Sequence, residues 1–364
     1  MMSTRGRLTR WLVPWLAVLA AATLAVACGP RTGGQASGPT VKEIATYTGG
    51  DRQPKLEAGA RQEATLMWYT SLGLQPNAEP LARAFEAKYP FIKVEIYRSD
   101  GAGLILKITE EAKAGKTAAD VVETTLNTLK PIKEENLLTE YYIPNANAYP
   151  RDAKEMGSGS NIVWAVDREH YISFGYNKTL VDPSALPKDW DGLLAPGLKG
   201  KMQIVGTGTG MDYVGSVLTN KSADFMKRLA QQEIKTQVIS GTAMLDLIAK
   251  GEVPASPTIF QAEVKAQQAK GAPVDWIALE PVMTNAGALA FMAGAPHPNA
   301  AALFAEWLLG PEGQGAYKGM GFGSAGSEPG FRRWYPGAGT TATQYEALFD
   351  AWKKVFDESF VRAG

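Results

Sequence analysis

The residues of this chain best suited to chemistry are hydroxyls and glycines placed where apolar runs end. Thr70 and Ser71 close the run A-T-L-M-W-Y, and Thr124 and Thr125 follow A-D-V-V-E. Thr242 opens a short helical pattern, and Thr258 lies in an apolar run that ends at Phe260. Asp100-Gly101-Ala102-Gly103 and Gly206-Thr207-Gly208-Thr209-Gly210 each turn the chain into a segment with apolar residues at helical spacing. Hydroxyls and backbone N–H groups at such turns suit an anion or a polar organic molecule. The competing reading is that Ser and Thr here only cap helices and close turns. Positive charge could come from His170, next to Tyr171, or from Arg168, two residues away and on the same face of an extended segment. Alternatively, both belong to a surface cluster with Asp167 and Glu169. The candidate ligand set is therefore Thr70, Ser71, Asp100, Gly101, Thr124, Thr125, His170, Tyr171, Gly208, Thr209, Thr242, Thr258 and Phe260.

Other chemistries have less to work with. Cys28 is the only cysteine, so neither an internal disulfide nor a thiolate metal cage can form. The only histidines are His170 and His297, too few for an imidazole zinc site, and His297 before Pro298 reads as structural. Tyr141-Tyr142 reads as a packed or surface aromatic pair in preference to a metal-binding one. The chain contains no G-x-S-x-G and no phosphate loop ending in Gly-Lys-Ser/Thr, and its glycines lack nucleotide-fingerprint spacing. No catalytic residue and no cofactor is expected. Thirty-seven basic residues balance thirty-seven acidic ones, so nothing provides the basic field of a nucleic-acid binder.

The elements that must position these residues are strands alternating with helices. Residues 64–70, 92–96 and 119–122 read as strands, separated by helical patterns over 79–88 and about 104–112, with another helix around 133–137. A second set follows from about Tyr171: strands at 172–176, 201–205 and 253–260, helices after Gly210 and over 242–250. An apolar run at 287–292 leads back, and a terminal helix carries Ala300, Ala301, Leu303, Phe304, Trp307 and Leu308 on one broad face. Such alternation builds α/β layers in which ligands bind beyond the carboxyl ends of the strands. A composition 45% hydrophobic and 20% charged, over 364 residues, suits about two globular domains.

The first residues read as an address. Arg5, Arg7 and Arg10 precede a charge-free stretch from Trp11 to Ala27, the pattern of a secretory signal. Small residues lead to Cys28, which resembles a lipoprotein signal with Cys28 as the lipidated residue, although Ala25 stands where a large aliphatic residue is usual. Ala25-x-Ala27 also fits ordinary signal cleavage, and a retained membrane anchor is a further option, short for a span and interrupted by Pro14. Gly29 to about Gln62, broken by Gly33-Gly34, Gly49-Gly50 and Pro54, reads as a flexible tether.

Several stretches resemble the bacterial solute-binding proteins of ABC importers with the type II periplasmic fold, in particular the cluster that includes ferric-iron-binding proteins. Tyr176-Asn177-Lys178-x-Leu180-Val181 is similar to that cluster's strand end after the interlobe crossing. Leu186-Pro187-x-x-Trp190-x-x-Leu193-Leu194 with Leu198-Lys199-Gly200-Lys201 resembles its approach to the second lobe's anion loop. His297-Pro298-Asn299-Ala300-Ala301-x-x-Phe304-x-x-Trp307-Leu308-Leu309-x-Pro311-Glu312-Gly313-Gln314 is the strongest match. The resemblance implies two α/β lobes, each a central mostly parallel sheet flanked by helices, joined by crossing strands and closing on a ligand. The expected layout is a signal over 1–27 ending at Cys28, a tether over 28–62, one lobe from 63–170 and 287–364, and the other from 171–286. It implies an exported, lipid-anchored monomer that takes a small molecule or ion to an ABC permease with its ATPase. Iron-binding members use adjacent tyrosines, hard oxygen donors for a hard cation. The matching stretch here, Pro254 to Phe260, has no tyrosine, and Glu123 is the nearest match to a carboxylate that some members use. Some relatives place an anion-binding arginine near His170. The reading therefore leans to an organic anion, phosphonate, sugar phosphate or other polar solute, with iron as the alternative and an extracellular enzyme or sensor domain as the rival class.

Overall fold

The structure is a computed structural model and describes residues 39–361. The expected signal and Cys28 lie outside the described residues. Two helices open the described chain, α1 (Val41–Thr46) and α2 (Arg52–Glu63). A tether was expected here, and the structure corrects it from residue 39 onward. The cause is a helical stripe of Arg52, Leu56 and Ala60, four residues apart and all buried. Arg52 donates hydrogen bonds to the carbonyls of Ile44 (3.2 Å), Ala45 (3.3 Å) and Tyr142 (3.2 Å), as well as to Tyr47, and pairs with Glu306.

β1 (Thr65–Thr70) lies at the centre of a parallel set with β2 (Lys93–Arg98) and β3 (Val121–Thr125). The links are α3 (Glu79–Lys88) and α4 (Gly101–Lys113), and α5 (Leu126–Glu134) leaves β3. Leu81, Ala82 and Phe85 seat α3 on the core, and Leu104 and Ile108 seat α4, whose N-terminus is capped by the Asp100 side chain (2.8 Å to Gly103 N). Short strands β4 (Leu138–Thr139) and β5 (Lys154–Met156) precede β6 (Ile162–Asn177), the longest strand.

β6 runs out of the first lobe into the second. There, β7 (Gln203–Val205) and β8 (Lys235–Gln237) pair in parallel, flanked by α6 (Gly208–Asn220) and α7 (Ala223–Ala230). After α8 (Gly241–Lys250), β9 (Ala255–Phe260) pairs antiparallel with the far half of β6. After α9 (Gln261–Ala269), β10 (Val274–Ile277) does the same. β11 (Val282–Met292) then returns, antiparallel to both β6 and β3. The sheet is thus mixed and continuous, in the order β10-β6-β11-β3-β1-β2, with β6 and β11 as crossing strands. One apolar cluster, which includes Trp68, Phe85, Phe291 and Phe304, fills the first lobe, and separate clusters around Phe174, Val214 and Ile248 fill the second. This is the two-lobed α/β architecture that the resemblance implies.

α10 (Pro298–Leu308) and α11 (Pro311–Gly319) pack on the first lobe, α10 against α2 and α11 against α3. Beyond them the chain crosses once more through β12 (Arg333–Trp334), which pairs with β11, to α12 (Ala342–Phe356). Residues up to 364 were expected in the first lobe. Instead Trp352, Phe356 and Phe360 join the second lobe's core. The reason is a notch in α6: a Cβ on Gly215 would lie 2.6 Å from the Trp352 ring, and Phe356 fits similarly against Gly210. α12 and the segment leading into it also touch the first lobe: Ala342 N donates to Glu134 of α5 (2.8 Å), and Lys130 of α5 donates to Gly337 O and Thr340 Oγ1 (2.8 Å).

Replacing Arg52 with Ala leaves the largely buried Glu306 without its counter-charge and removes the bonds that tie α1 and Tyr142 to α2. It is expected to cost about 3–5 kcal/mol of unfolding free energy in denaturant melts, unlike an exposed-charge change such as Lys42→Ala, which should cost about 0.5 kcal/mol or less.

Candidate ligand cleft

The carboxyl ends of β1, β2 and β3 meet at one edge of the first lobe. Ser71 N donates to Glu123 O (3.1 Å) and Ser99 N to Thr70 O (3.2 Å). Gly101 packs on Thr128 Oγ1, and that hydroxyl meets Thr125 Oγ1 at 2.9 Å. Thr70, Ser71, Asp100, Gly101 and Thr125 are thus brought together. Thr124 is fully buried in β3, and its hydroxyl has no partner among the described residues.

In the second lobe, Gly208 and Thr209 form the first turn of α6. Gly241 and Thr242 begin α8, whose N-cap is Ser240 (3.1 Å to Ala243 N), and Phe260 is the N-cap residue of α9. A Cβ on Gly241 would lie 2.7 Å from the Phe260 ring, so the glycine makes room for it. Several expected donors are occupied by the protein itself. The Thr258 hydroxyl is buried, accepts from Val205 N (3.4 Å) and meets Ser256 Oγ at 3.0 Å. Thr242 Oγ1 donates to Glu263 (2.9 Å).

The two groups of loops are joined at the crossing by a chain of charges inside β6. Asp167 and Glu169 are completely buried, and Arg168 is 6% exposed. The alternative of a surface cluster is therefore corrected: each charge has an internal partner. Arg168 Nε donates to Glu123 Oε1 at 3.0 Å, and the other Glu123 oxygen accepts from the Thr70 hydroxyl. Thr70 Oγ1 also accepts from Leu72 N (3.0 Å), so its single proton is committed to Glu123 and one of its lone pairs to the backbone. The terminal nitrogens of Arg168 make no hydrogen bond to any described residue. Gly287 opposes Arg168 across the ladder, and a Cβ there would lie 2.6 Å from both the guanidinium carbon and Glu123 Oε1. Glycine at that position lets the ion pair lie flat on the strand.

One residue earlier on β6 and on its opposite face, Asp167 accepts from Tyr317 OH (2.6 Å), and burial together with the Glu123 charge pushes its carboxyl up to about 8. Glu169 accepts from Tyr171 OH (2.6 Å), from Tyr335 OH and from Arg333 Nη1 (3.1 Å). Tyr171 is thereby placed in the hinge, away from Arg168. His170 is half-buried on the same side as Arg168, stacked on Phe322 at 4.4 Å between centroids with 9° between planes, and edge-on to Phe260 at 5.4 Å. Burial, with Arg168 close by, pushes its pKa down to about 4.

The remaining candidates have local roles. Tyr141 OH donates to Leu289 O (2.8 Å), and the Tyr142 ring lies under Arg52. His297 Nδ1 and backbone N both meet Asp120, at 2.9 and 2.7 Å. Lys107 pairs with Glu111 on the face of α4, and Lys130 turns to the C-terminal crossing. Among the described residues, no group of three or more His, Cys, Asp or Glu side chains is arranged to hold a metal ion. Sequence reasoning missed Gly241, Gly287 and Phe322, and it weighed Glu123 only as an iron ligand. The available signal was D-R-E-H set between the apolar runs I-V-W-A-V and Y-I-S-F.

A continuous sheet with two crossing strands, ligand loops at strand ends and a charged hinge defines the type II periplasmic-binding fold. The solved structures agree. Iron-bound HitA from Pseudomonas aeruginosa is 19% identical with a TM-score of 0.64, over 79% of this chain and 99% of that one. AfuA from Actinobacillus pleuropneumoniae, with exogenous fructose-6-phosphate bound, is 21% identical with a TM-score of 0.60, over 80% and 98%. A putative extracellular solute-binding protein from Bordetella parapertussis is 14% identical with a TM-score of 0.68, over 82% and 99%. At these identities the likeness establishes the fold alone. A search of curated protein sequences finds no match. The family model for bacterial extracellular solute-binding proteins matches residues 80–326, and the chain belongs to that family, the solute-binding proteins of ABC importers.

The chain has only two histidines, so NMR can follow each. His170 is expected to titrate near pH 4, far below the usual ~6.5. Its folded pKa is depressed, so its contribution to stability is full above ~6.5 and is lost as the pH falls through about 4. A His170→Gln variant should therefore show a shallower loss of stability across that window.

Proposed function

We propose that this protein captures a small organic anion between its lobes and passes it to a membrane permease, acting as a lipid-anchored monomer with no catalytic role of its own. The observation that carries this reading is Arg168: its Nε is fixed by Glu123, while its terminal nitrogens have no partner among the described residues. A guanidinium held in this way is preorganised for two parallel hydrogen bonds to a carboxylate or phosphonate. The first turn of α6, with Gly208 exposed and Thr209 beside it, adds backbone N–H groups from the other lobe. An anion touching both lobes stabilises the closed state over the open one, and that differential contact drives closure. Iron fits less well, because Glu123 is committed to Arg168 and Thr70.

Calorimetric titration with small carboxylates and phosphonates is the test. Arg168→Met alone leaves Glu123 buried without its counter-charge, so it is paired with Glu123→Gln to keep the crossing neutral. The double variant is expected to fold and to lose at least about thirty-fold in affinity. Unchanged affinity, or tight binding of Fe(III) with no response to any anion, rejects the reading. For the anchor, Cys28→Ser is expected to move the protein from the membrane fraction to the soluble one, and mass spectrometry should find a lipid on Cys28 of the parent protein.

A further inference from the structure

The surroundings of the free end of Arg168 differ from those of a site for a hydroxyl-rich solute. The Thr70 hydroxyl donates to Glu123 and accepts from Leu72 N, the Thr258 hydroxyl is buried and engaged, and Thr242 is bonded to Glu263. Thr125 is bonded to Thr128. Of the hydroxyls expected at the ligand loops, Ser71, Thr207 and Thr209 are both solvent-reaching and without a side-chain bond to a described residue. A sugar-like body presents several hydroxyls, each needing a partner once water is excluded. Three are too few.

Rings stand where those partners would be. Arg168 Cζ lies 5.8 Å from the centre of the Phe322 ring, His170 is stacked flat on that ring, and Phe260 meets His170 edge-on. Phe260 is half-buried, at the end of β9 and the start of α9, seated on the bare backbone of Gly241. This residue is not a sealed core aromatic: its neighbours in the second-lobe core are buried, whereas Phe260 stays partly open at a strand end among the ligand loops. His170 is neutral at physiological pH, so it adds a polar, flat ring and no second positive charge. One guanidinium and a set of rings match a solute with a single anionic group on a flat apolar body.

We propose that the captured solute is an aromatic acid, a carboxylate or phosphonate on a planar apolar ring, and that Phe260 is the residue that selects for the ring. This deepens the anion reading and rests on it. Arg168 holds the oxyanion, and Phe260 meets the ring as the second lobe closes. Offset or edge-on packing of rings is worth enough to separate aromatic from aliphatic acids by about ten-fold.

Matched pairs test it: benzoate against acetate, and phenylphosphonate against methylphosphonate, with glucose 6-phosphate as the hydroxyl-rich anion, titrated by calorimetry into the purified full chain. The expected result is that each aryl acid binds at least about ten-fold more tightly than its methyl partner and than glucose 6-phosphate. Phe260→Leu keeps apolar volume in place and should shrink that ratio to within about two-fold, while methylphosphonate affinity changes little. Phe260→Ala, checked for an intact thermal transition, should do the same. Aryl and methyl acids binding equally well overturns the proposal and leaves the anion reading standing. A selectivity that survives both Phe260 variants overturns the role of Phe260. If no anion binds the parent protein, the anion reading fails first and this proposal fails with it.

Discussion

Everything in this molecule is arranged around an ion pair buried where the lobes join. Glu123 belongs to the first lobe's sheet, Arg168 to the strand that leaves it, and Thr70 closes the chain of bonds from β1. Moving two such charges out of water is costly, and a pair repays that cost only with good geometry and with its other bonding sites filled. Glu123 meets both conditions, with one oxygen on Arg168 and the other on Thr70. Arg168 meets them only in part: its Nε is paired and its terminal nitrogens have no partner among the described residues. A guanidinium that is positioned but not saturated is the feature on which the proposed anion site rests.

The crossing also needs positions with no side chain. Gly287 allows the guanidinium to lie against the ladder, and the register of β11 on β6 shifts between Gly287 and Ala288. Such an irregularity raises local twist and re-aims the side chains around it. On the other side of the strand, Glu169 gathers Tyr171, Tyr335 and Arg333, which ties the late C-terminal crossing to the same few residues. α12 then lies against both α5 and α6, the helices that begin at the facing ligand loops, with Tyr345 OH reaching Asp212 of α6 (3.2 Å). Rotation of one lobe against the other therefore has to pass through β6, β11 and this third crossing together.

The alternating elements of both lobes were legible because each has a period of its own. Residues 79–88 carry a clean helical face, and 65–70 and 255–260 are short apolar runs bounded by polar residues. Legibility failed where tertiary partners overrode local pattern. β6 runs unbroken through Asp167-Arg168-Glu169 only because Tyr317, Glu123 and Arg333 wait on other elements. α2 contains Pro54 and Gly59 and reads as tether, yet it is held by Arg52 and by a stripe too thin to register as amphipathic. The loops at the strand ends were legible, since turns there are visible in sequence. Which hydroxyls remain free was not, because that depends on bonds such as Thr242 to Glu263, made between helices.

The strand order has one further consequence, for the making of the protein. β11 lies between β3 and β6 at the middle of the sheet, yet it is among the last strands in the chain. Until residues 282–292 arrive, β3 has an empty edge and the helix that covers the first lobe's core, α10, does not exist. The first lobe therefore cannot complete itself as its own first half emerges; it waits until most of the second lobe, all but its C-terminal helix, has been synthesised. Pairings this distant in sequence carry a large loop-closure cost and fold slowly. For an exported family that delay is an advantage, because a chain that folds late stays threadable until about its last quarter begins to emerge from the ribosome.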